Sequence, residues 1–381
     1  MDRAPGATVL VAGLGDLGGR VLELLAGNTA ISELLACGRR TPHSAALIAQ
    51  TALIADTLGG AALVAHVETD LTDHAAVTQM LRSTAPDVVV FAASRHSWWR
   101  TPPAARSLPY GVWLPLQLYL LRTFMRAHRD AGATAPVVAL PHPDAAGPVL
   151  AAEGLAPHAG AGNVAEVAAK LRLLAAVELG CRREQVDVHL VLHHAAERLA
   201  FALFAPSEQA GPRRPTDPRT AAPTPPYLAR VAVRGEPLPA DVVDRLLRQS
   251  YPLPTGTGSH QLTAATAVRL VDALLADEPQ RLHVPAPAGL PGGYPVRVGG
   301  RAVVLDLPAT ITLAEAVAVN ERAAAFDGIS AIGPDGTVHY TEQATRGAQD
   351  VLGLRLQDVA LTALDEVADQ LDHALGLLHG A

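Results

Sequence analysis

The chain is poor in cysteine, almost devoid of lysine, and without a long uninterrupted apolar run. Two cysteines in 381 residues, Cys37 and Cys181, are too few for a disulfide framework or a four-thiolate zinc site, which fits a reducing compartment. There is no basic tail: 30 basic residues face 37 acidic ones, for a net charge of −7. A chain that must track a phosphate backbone needs the opposite balance, so nucleic acid is not expected as a partner. The longest apolar stretch, near Val112–Leu121, is broken by Pro115 and Gln117 and is too short to span a bilayer. Asp2 stands where a signal peptide would be basic, and a cytoplasmic location away from membranes is expected. What is present is a 49% hydrophobic content with both charge signs interspersed, enough to build one large or two modest domains.

Apolar runs of strand length occur at Thr8–Ala12, Leu34–Cys37, Leu63–Val67, Asp87–Ala92 and Pro136–Leu140. Helical patterns lie between several of them, including Leu17–Leu25 and His74–Ser83. This alternation predicts an α/β fold with a parallel sheet covered on both faces, occupying residues 1–145. The texture then changes. A long helix at Val164–Leu179, a strand at Val186–Leu192 and a helix through Glu197–Phe204 open a second, α+β region, residues 146–381. The proline-rich stretch Ala205–Pro226 reads as a mobile connection. Beyond it the pattern predicts strand Tyr227–Val233, helices Asp241–Ser250 and Gln261–Leu275, a hairpin around Gly299-Gly300, and helices near Leu313–Phe326, Gln343–Leu352 and Asp358–Leu378.

The first strand runs directly into Gly13-Leu-Gly15-Asp16-Leu17-Gly18-Gly19, which in turn opens a helix. This is the setting of a dinucleotide fingerprint. Gly13 permits a tight turn, Gly15 lets backbone approach a pyrophosphate, and Gly18 allows close helix packing, with Asp16 and Leu17 at the helix N-terminus that holds the anion. Where an NAD site would carry an acid at the end of the second strand, the chain reads Gly38-Arg39-Arg40. Two guanidiniums suit a 2′-phosphate, so NADP is expected in preference to NAD; the alternative is a solvated Arg pair. Asp70 either touches the adenine end or caps the following helix.

Asn163, Glu166 and Lys170 fall on one face of the long apolar helix. Buried Glu and Lys must be paired or face a site. Lys170 is the only lysine in the chain, which nominates it as a tunable amine, with a Glu166–Lys170 salt bridge as the alternative. At the end of the next strand His193 and His194 are adjacent, followed by Glu197. One imidazole is a candidate general acid, and the other reading is a core histidine bonded to backbone. The spacing is not that of a zinc protease, and no metal is expected.

Taken in order, these features resemble the lactate/malate dehydrogenase family. His142-Pro143-Asp144 stands where that family has Asn-Pro-x-Asp. Gly160-Ala-Gly162-Asn163 through Lys170-Leu-Arg172 stands where it has Gly-x-Gly-Thr-Asn-Leu-Asp-Ser-x-Arg, and Leu192-His193-His194-Ala-Ala where it has Gly-Glu-His-Gly-Asp. The resemblance implies a Rossmann doubly wound sheet followed by a dehydrogenase-like C-terminal domain. It further implies His194, or His193 with a one-residue slip, as proton donor, Glu166 as the acid orienting it, and Lys170 or Arg172 in place of the carboxylate-clamping Arg. His142, Asn163 and Ser259 would contact substrate, and the assembly would be a homodimer, to which the apolar C-terminal helix Val359–Leu378 would also contribute. The segment Ser94–Pro103 corresponds to the family's mobile loop. With Trp113 a little beyond, it holds every tryptophan, and Arg100 is the expected lid contact; the rings either stack on substrate or anchor the loop. The expectation is an NADP-dependent oxidoreductase acting on the carbonyl or hydroxy group of a bulky or specialised acid. The alternatives are a non-redox or nucleotide-binding descendant of the fold and an opine-type imine reductase.

Overall fold

The apolar strands assemble as their periodicity dictates. In the computed structural model, which describes residues 6–201, 223–254 and 256–380, β1 (Ala7–Ala12) leads into α1 (Asp16–Leu25), β2 (Ile31–Gly38), α2 (Pro42–Thr57), β3 (Leu63–Glu68), α3 (His74–Thr84), β4 (Val88–Phe91), α4 (Leu114–Asp130), β5 (Val137–Ala139), α5 (Pro143–Ala151) and β6 (Ala159–Gly160). The six strands pair in parallel in the order β3-β2-β1-β4-β5-β6. This is the doubly wound arrangement, and the order reverses between β1 and β4, which opens a crevice at their C-terminal ends. Successive residues of β1 serve opposite faces. Val9 and Val11 join one core with Leu22 and Leu25 of α1, while Leu10 and Ala12 join another with the leucines of α4.

The second region begins with α6 (Val164–Glu178), β7 (Val186–Val191), α7 (His194–Ala200), β8 (Leu228–Val233), β9 (Glu236–Pro237), α8 (Ala240–Arg248) and α9 (His260–Leu275). It continues with β10 (Gln280–Pro285), β11 (Gly293–Gly299), β12 (Ala302–Leu305), α10 (Leu313–Ala324), β13 (Ile329–Ile332), β14 (Val338–Tyr340), α11 (Glu342–Leu352), β15 (Asp358–Val359) and α12 (Leu364–Gly380). Its strands form three antiparallel sheets of three. Helix α9 packs on α1, and its Ala264, Ala267, Leu270 and Val271 close the core on that face of the parallel sheet. Among the described residues no helix is long and apolar enough to cross a membrane.

Three expectations change. The helix expected through Glu197–Phe204 starts earlier, at His194, and its last residues lie outside the described ones, as does most of the proline-rich stretch up to residue 222. The helix expected from Asp358 starts only at Leu364, because Asp358 and Val359 pair with His339 and Val338 as a sheet edge. The C-terminal helix, whose apolar character was expected to favour a dimer, buries part of its apolar face within the chain and leaves Leu377 exposed. Ala368, Leu371, Ala374 and Leu375 share a core with Leu118, Leu121 and Met125 of α4.

Candidate active site

The crevice at the reversal point is a cavity of about 890 Å³ that reaches from the glycine turn to His142 and His194. At its nucleotide end Gly13 has φ +101°, and a Cβ there would lie 2.6 Å from the Ala93 amide nitrogen; one on Gly18 would lie 1.9 Å from the Gly13 carbonyl oxygen. Both positions therefore require glycine. A Cβ on Gly15 would meet nothing within 4 Å, because that backbone faces the open cavity beside the N-terminus of α1. Such a cradle fits a dinucleotide pyrophosphate. Asp16 is turned away from an anion-repelling role: it accepts from Arg20 (3.0 Å) and His260 Nδ1 (2.6 Å). Burial opposes ionisation, but these bonds hold its carboxyl below the ordinary range.

Leu17 and Arg39 also border the cavity, whereas Arg40 does not and instead meets Glu68 at 3.3 Å on the surface. The expected Arg pair is thus a single arginine. Asp70 borders the cavity but does not cap a helix. Its carboxylate accepts from the Thr72 amide and hydroxyl, and Asp73 caps α3 instead.

At the far end, β5 stops at the turn into α5, and His142 there adopts left-handed backbone, φ 40° and ψ 55°, unusual for a residue other than glycine. It is 2% exposed, borders the cavity, and neither ring nitrogen has a hydrogen-bond partner among the described residues. Burial and the neighbouring His194 push its pKa down to about 3, so it is neutral at pH 7.

His194, the first residue of α7, is held on three sides. Its Nδ1 lies 2.7 Å from Asp327 Oδ2, its amide donates to Asp144 Oδ1 at 3.2 Å, and its ring stacks on Tyr110 with centroids 4.5 Å apart. Burial alone would depress the imidazolium. The buried carboxylate of Asp327 outweighs it and raises the pKa to about 9, while Asp327, despite its own burial, falls to about 2. The acid that orients His194 is therefore Asp327, not Glu166 as expected. Asp327 sits in the turn after α10, 133 residues along the chain, and no local motif marks it. Tyr110, wedged between His142 and His194, was likewise not singled out beforehand.

Glu166 and Glu197 both border the cavity with their carboxyl groups against each other, and Thr263 donates to Glu166 Oε1 at 2.7 Å. Burial and mutual repulsion raise the pKa of Glu166 well above the carboxylate range. Asn163 and Ser259 also border the cavity. Asn163 donates to Asp144, and the Ser259 hydroxyl donates to the Gly256 carbonyl.

Other expected residues are placed elsewhere. Lys170 is not paired with Glu166 and does not reach the cavity; its Nζ donates to the carbonyls of Ala200, Leu247 and Gln249 at 2.6–2.7 Å. Arg172, two residues further along α6, and Arg100, exposed on the loop after β4, do not border the cavity either. His193 caps α7 by accepting from the Ala195 amide at 3.1 Å. Of the tryptophans, Trp98 and Trp99 border the cavity and contact His260, and Trp113 is buried against His96.

Among the described residues, His142, His194 and Asp327 are the one trio with ligating atoms within 4.8 Å of one another. The 2.7 Å between His194 and Asp327 is a hydrogen-bond distance. An ion bound at about 2.0–2.2 Å from each would hold those atoms further apart.

Neither a family model nor a curated protein sequence matches the chain. Solved structures do. The lactate dehydrogenase from Cryptosporidium parvum complexed with lactic acid and β-nicotinamide adenine dinucleotide superposes with a TM-score of 0.56 at 15% identity, over 85% of this chain and 99% of that one. The malate dehydrogenase of the same organism gives 0.56 at 13% identity over 92% and 100%. The apo malate dehydrogenase from Picrophilus torridus gives 0.56 at 14% over 84% and 97%. With its six-stranded parallel sheet and antiparallel C-terminal region, the chain has a lactate/malate dehydrogenase-like fold.

Proposed function

We propose that the protein is a nicotinamide-dinucleotide-dependent oxidoreductase that interconverts a carbonyl and a hydroxy group, with His194 as proton donor and acceptor. The observation that carries this reading is the His194–Asp327 pair at 2.7 Å, buried at the far end of the cavity that starts at the glycine cradle. A bound dinucleotide supplies or accepts hydride. The residues of the chain do the rest. Asp327 fixes the tautomer and orientation of the imidazole, leaving Nε2 for the reacting oxygen, and Tyr110 covers one ring face. His142 stands beside them as a neutral hydrogen-bonding group.

A raised histidine sets the pH dependence. Carbonyl reduction needs protonated His194, so its kcat/KM should hold up to about pH 9 and fall above it. In Asp327→Asn the burial of the ring remains without its nearest counter-charge, and the limb should move down from about pH 9. Stability follows the same sign. The pair stabilises the fold fully below pH 6.5 and loses that contribution as pH rises towards 9. The pH–rate profiles of the two proteins check the limb and urea unfolding against pH checks the stability, and an unmoved limb in the variant would assign the proton to another group.

NADP is the proposed cofactor form. Arg39 borders the cavity at the end of β2 with no carboxylate at Gly38–Arg40. The Cryptosporidium neighbour carries the form without a 2′-phosphate. Titration with NADPH and NADH, followed by nicotinamide fluorescence, decides the matter. NADPH is expected to bind tighter. Arg39→Ala should weaken NADPH by about tenfold or more and leave NADH unchanged, as a charge-assisted hydrogen bond requires; Arg40→Ala should change neither. Equal affinity for the two cofactors would make the site an NAD site, and no binding of either would remove the redox reading and favour a non-redox protein of this fold.

A further inference from the structure

The substrate end of the cavity is short of cations. Among the described residues bordering the cavity, the only Lys or Arg side chains are Arg39, at the nucleotide end, and Arg95, which is taken up by Asp369 and Asp372 of α12. Around His194, four carboxyl groups are buried among the described residues. Asp327 is matched by His194 itself, and Asp144 by Asn163 and the His194 amide. Among the described residues no Lys or Arg side chain pairs with Glu166 or Glu197, and the one cation that acts on them, His194, is already bonded to Asp327. Glu166 and Glu197 are 4% and 6% exposed, border the cavity, and are set against each other with Thr263 on Glu166. Two buried carboxyl groups in contact cannot both ionise without a counter-charge.

A second feature points to a ligand at the same place. The ring of His142 is buried, borders this end of the cavity and has no hydrogen-bond partner among the described residues at either nitrogen. A buried imidazole needs one. An alcohol or carbonyl oxygen placed for His194 is within the reach of chemistry that His142 can satisfy. A substrate carboxylate, in contrast, would enter a low-dielectric pocket lined by acids, with no free guanidinium among the described residues at this end to receive it.

We propose that this end of the cavity takes an amino alcohol or amino ketone, whose primary ammonium is received by the Glu166–Glu197 carboxyl pair while its oxygen lies between His142 and His194. The proposal rests on the oxidoreductase reading for the role of the oxygen, and on the carboxyl pair alone for the ammonium. The ammonium takes the place of the proton that the two acids share, and each carboxylate oxygen it meets gains a charge-assisted hydrogen bond.

Three small molecules that differ in one group test it: lactate, 1,2-propanediol and 1-amino-2-propanol, which carry a carboxylate, a hydroxymethyl and an aminomethyl group on the same secondary alcohol. Binding is measured by calorimetry to the protein with oxidised dinucleotide present. The amine is expected to bind about tenfold or more tighter than the diol, with lactate weakest. Glu197→Gln and Glu166→Gln, each checked for an intact thermal transition, should remove the amine's advantage over the diol. Lactate or the diol binding as well as the amine, no binding of the amine, or an advantage that survives in both variants would overturn the proposal. If the dinucleotide does not bind, the oxidoreductase reading falls by itself, and the same series on the protein alone still decides the ammonium preference. If the dinucleotide is reduced with lactate while the amine is ignored, the ammonium pocket falls and the oxidoreductase reading stands.

Discussion

Replacing His194 with Asn is expected to lower turnover by about 10²–10⁴-fold, the usual contribution of a positioned general acid or base, while dinucleotide affinity stays as it was. Asn keeps a hydrogen-bonding group near Asp327 but cannot give up or take a proton at the reacting oxygen. The imidazole it removes is the one group at that end of the cavity that Asp327 holds charged at neutral pH, with a pKa of about 9. Binding and chemistry separate because the glycine cradle at Gly13 and Gly15 belongs to the β1–α1 turn, and His194 belongs to α7. Steady-state consumption of reduced nicotinamide measures the first quantity, and fluorescence titration the second. Turnover left intact by His194→Asn would take the proton-transfer role away from this pair and leave His142 as the next imidazole on the cavity wall.

Lys170→Met is expected to destabilise the protein by about 2–4 kcal/mol while the protein that folds keeps its dinucleotide affinity. The estimate follows from leaving buried carbonyl groups without donors. The three carbonyls that Lys170 serves, at Ala200, Leu247 and Gln249, lie at the C-terminal ends of α7 and α8. There, backbone oxygens have no partner within the helix and the helix dipole favours a cation. Burial pushes the ammonium down to about 8, which still leaves it charged at pH 7, with three N–H donors for three oxygens. A planar guanidinium does not present three N–H groups to converging oxygens at one point. Lys170→Arg should therefore destabilise as well, although it keeps the charge. Urea unfolding of the two variants checks this. Full stability with lost turnover would instead return Lys170 to the chemistry expected from its being the only lysine.

The boundary between what was legible and what was not runs along chain separation. The glycine turn was legible because its constraints are local: Gly13 must turn directly after β1, and Gly18 must pass the Gly13 carbonyl one turn of helix later. The parallel sheet was legible because period and strand length are written in consecutive residues. The helix starting at Leu364 was not, since Asp358 and Val359 are strand only by virtue of β14 beside them. The same holds within the site. Glu166 and Lys170 are correctly one turn apart on α6, yet they do not meet. Lys170 is drawn to carbonyls 77 and 79 residues away at the end of α8, and Glu166 is drawn to Glu197 and Thr263.

By itself, the sequence determined the doubly wound nucleotide half, the glycine cradle, and His194 as a residue at the end of a strand facing a helix start. Those depend on backbone geometry within a few residues. Only the tertiary structure decided which acid serves His194, that the second arginine of Arg39-Arg40 pairs away with Glu68, and that, among the described residues, the Glu166–Glu197 pair at the substrate end of the cavity has no Lys or Arg beside it. Charge pairing is a sum over all neighbours in space, and Asp327 enters that sum from 133 residues away, because α10 and the turn after it pack beside α7.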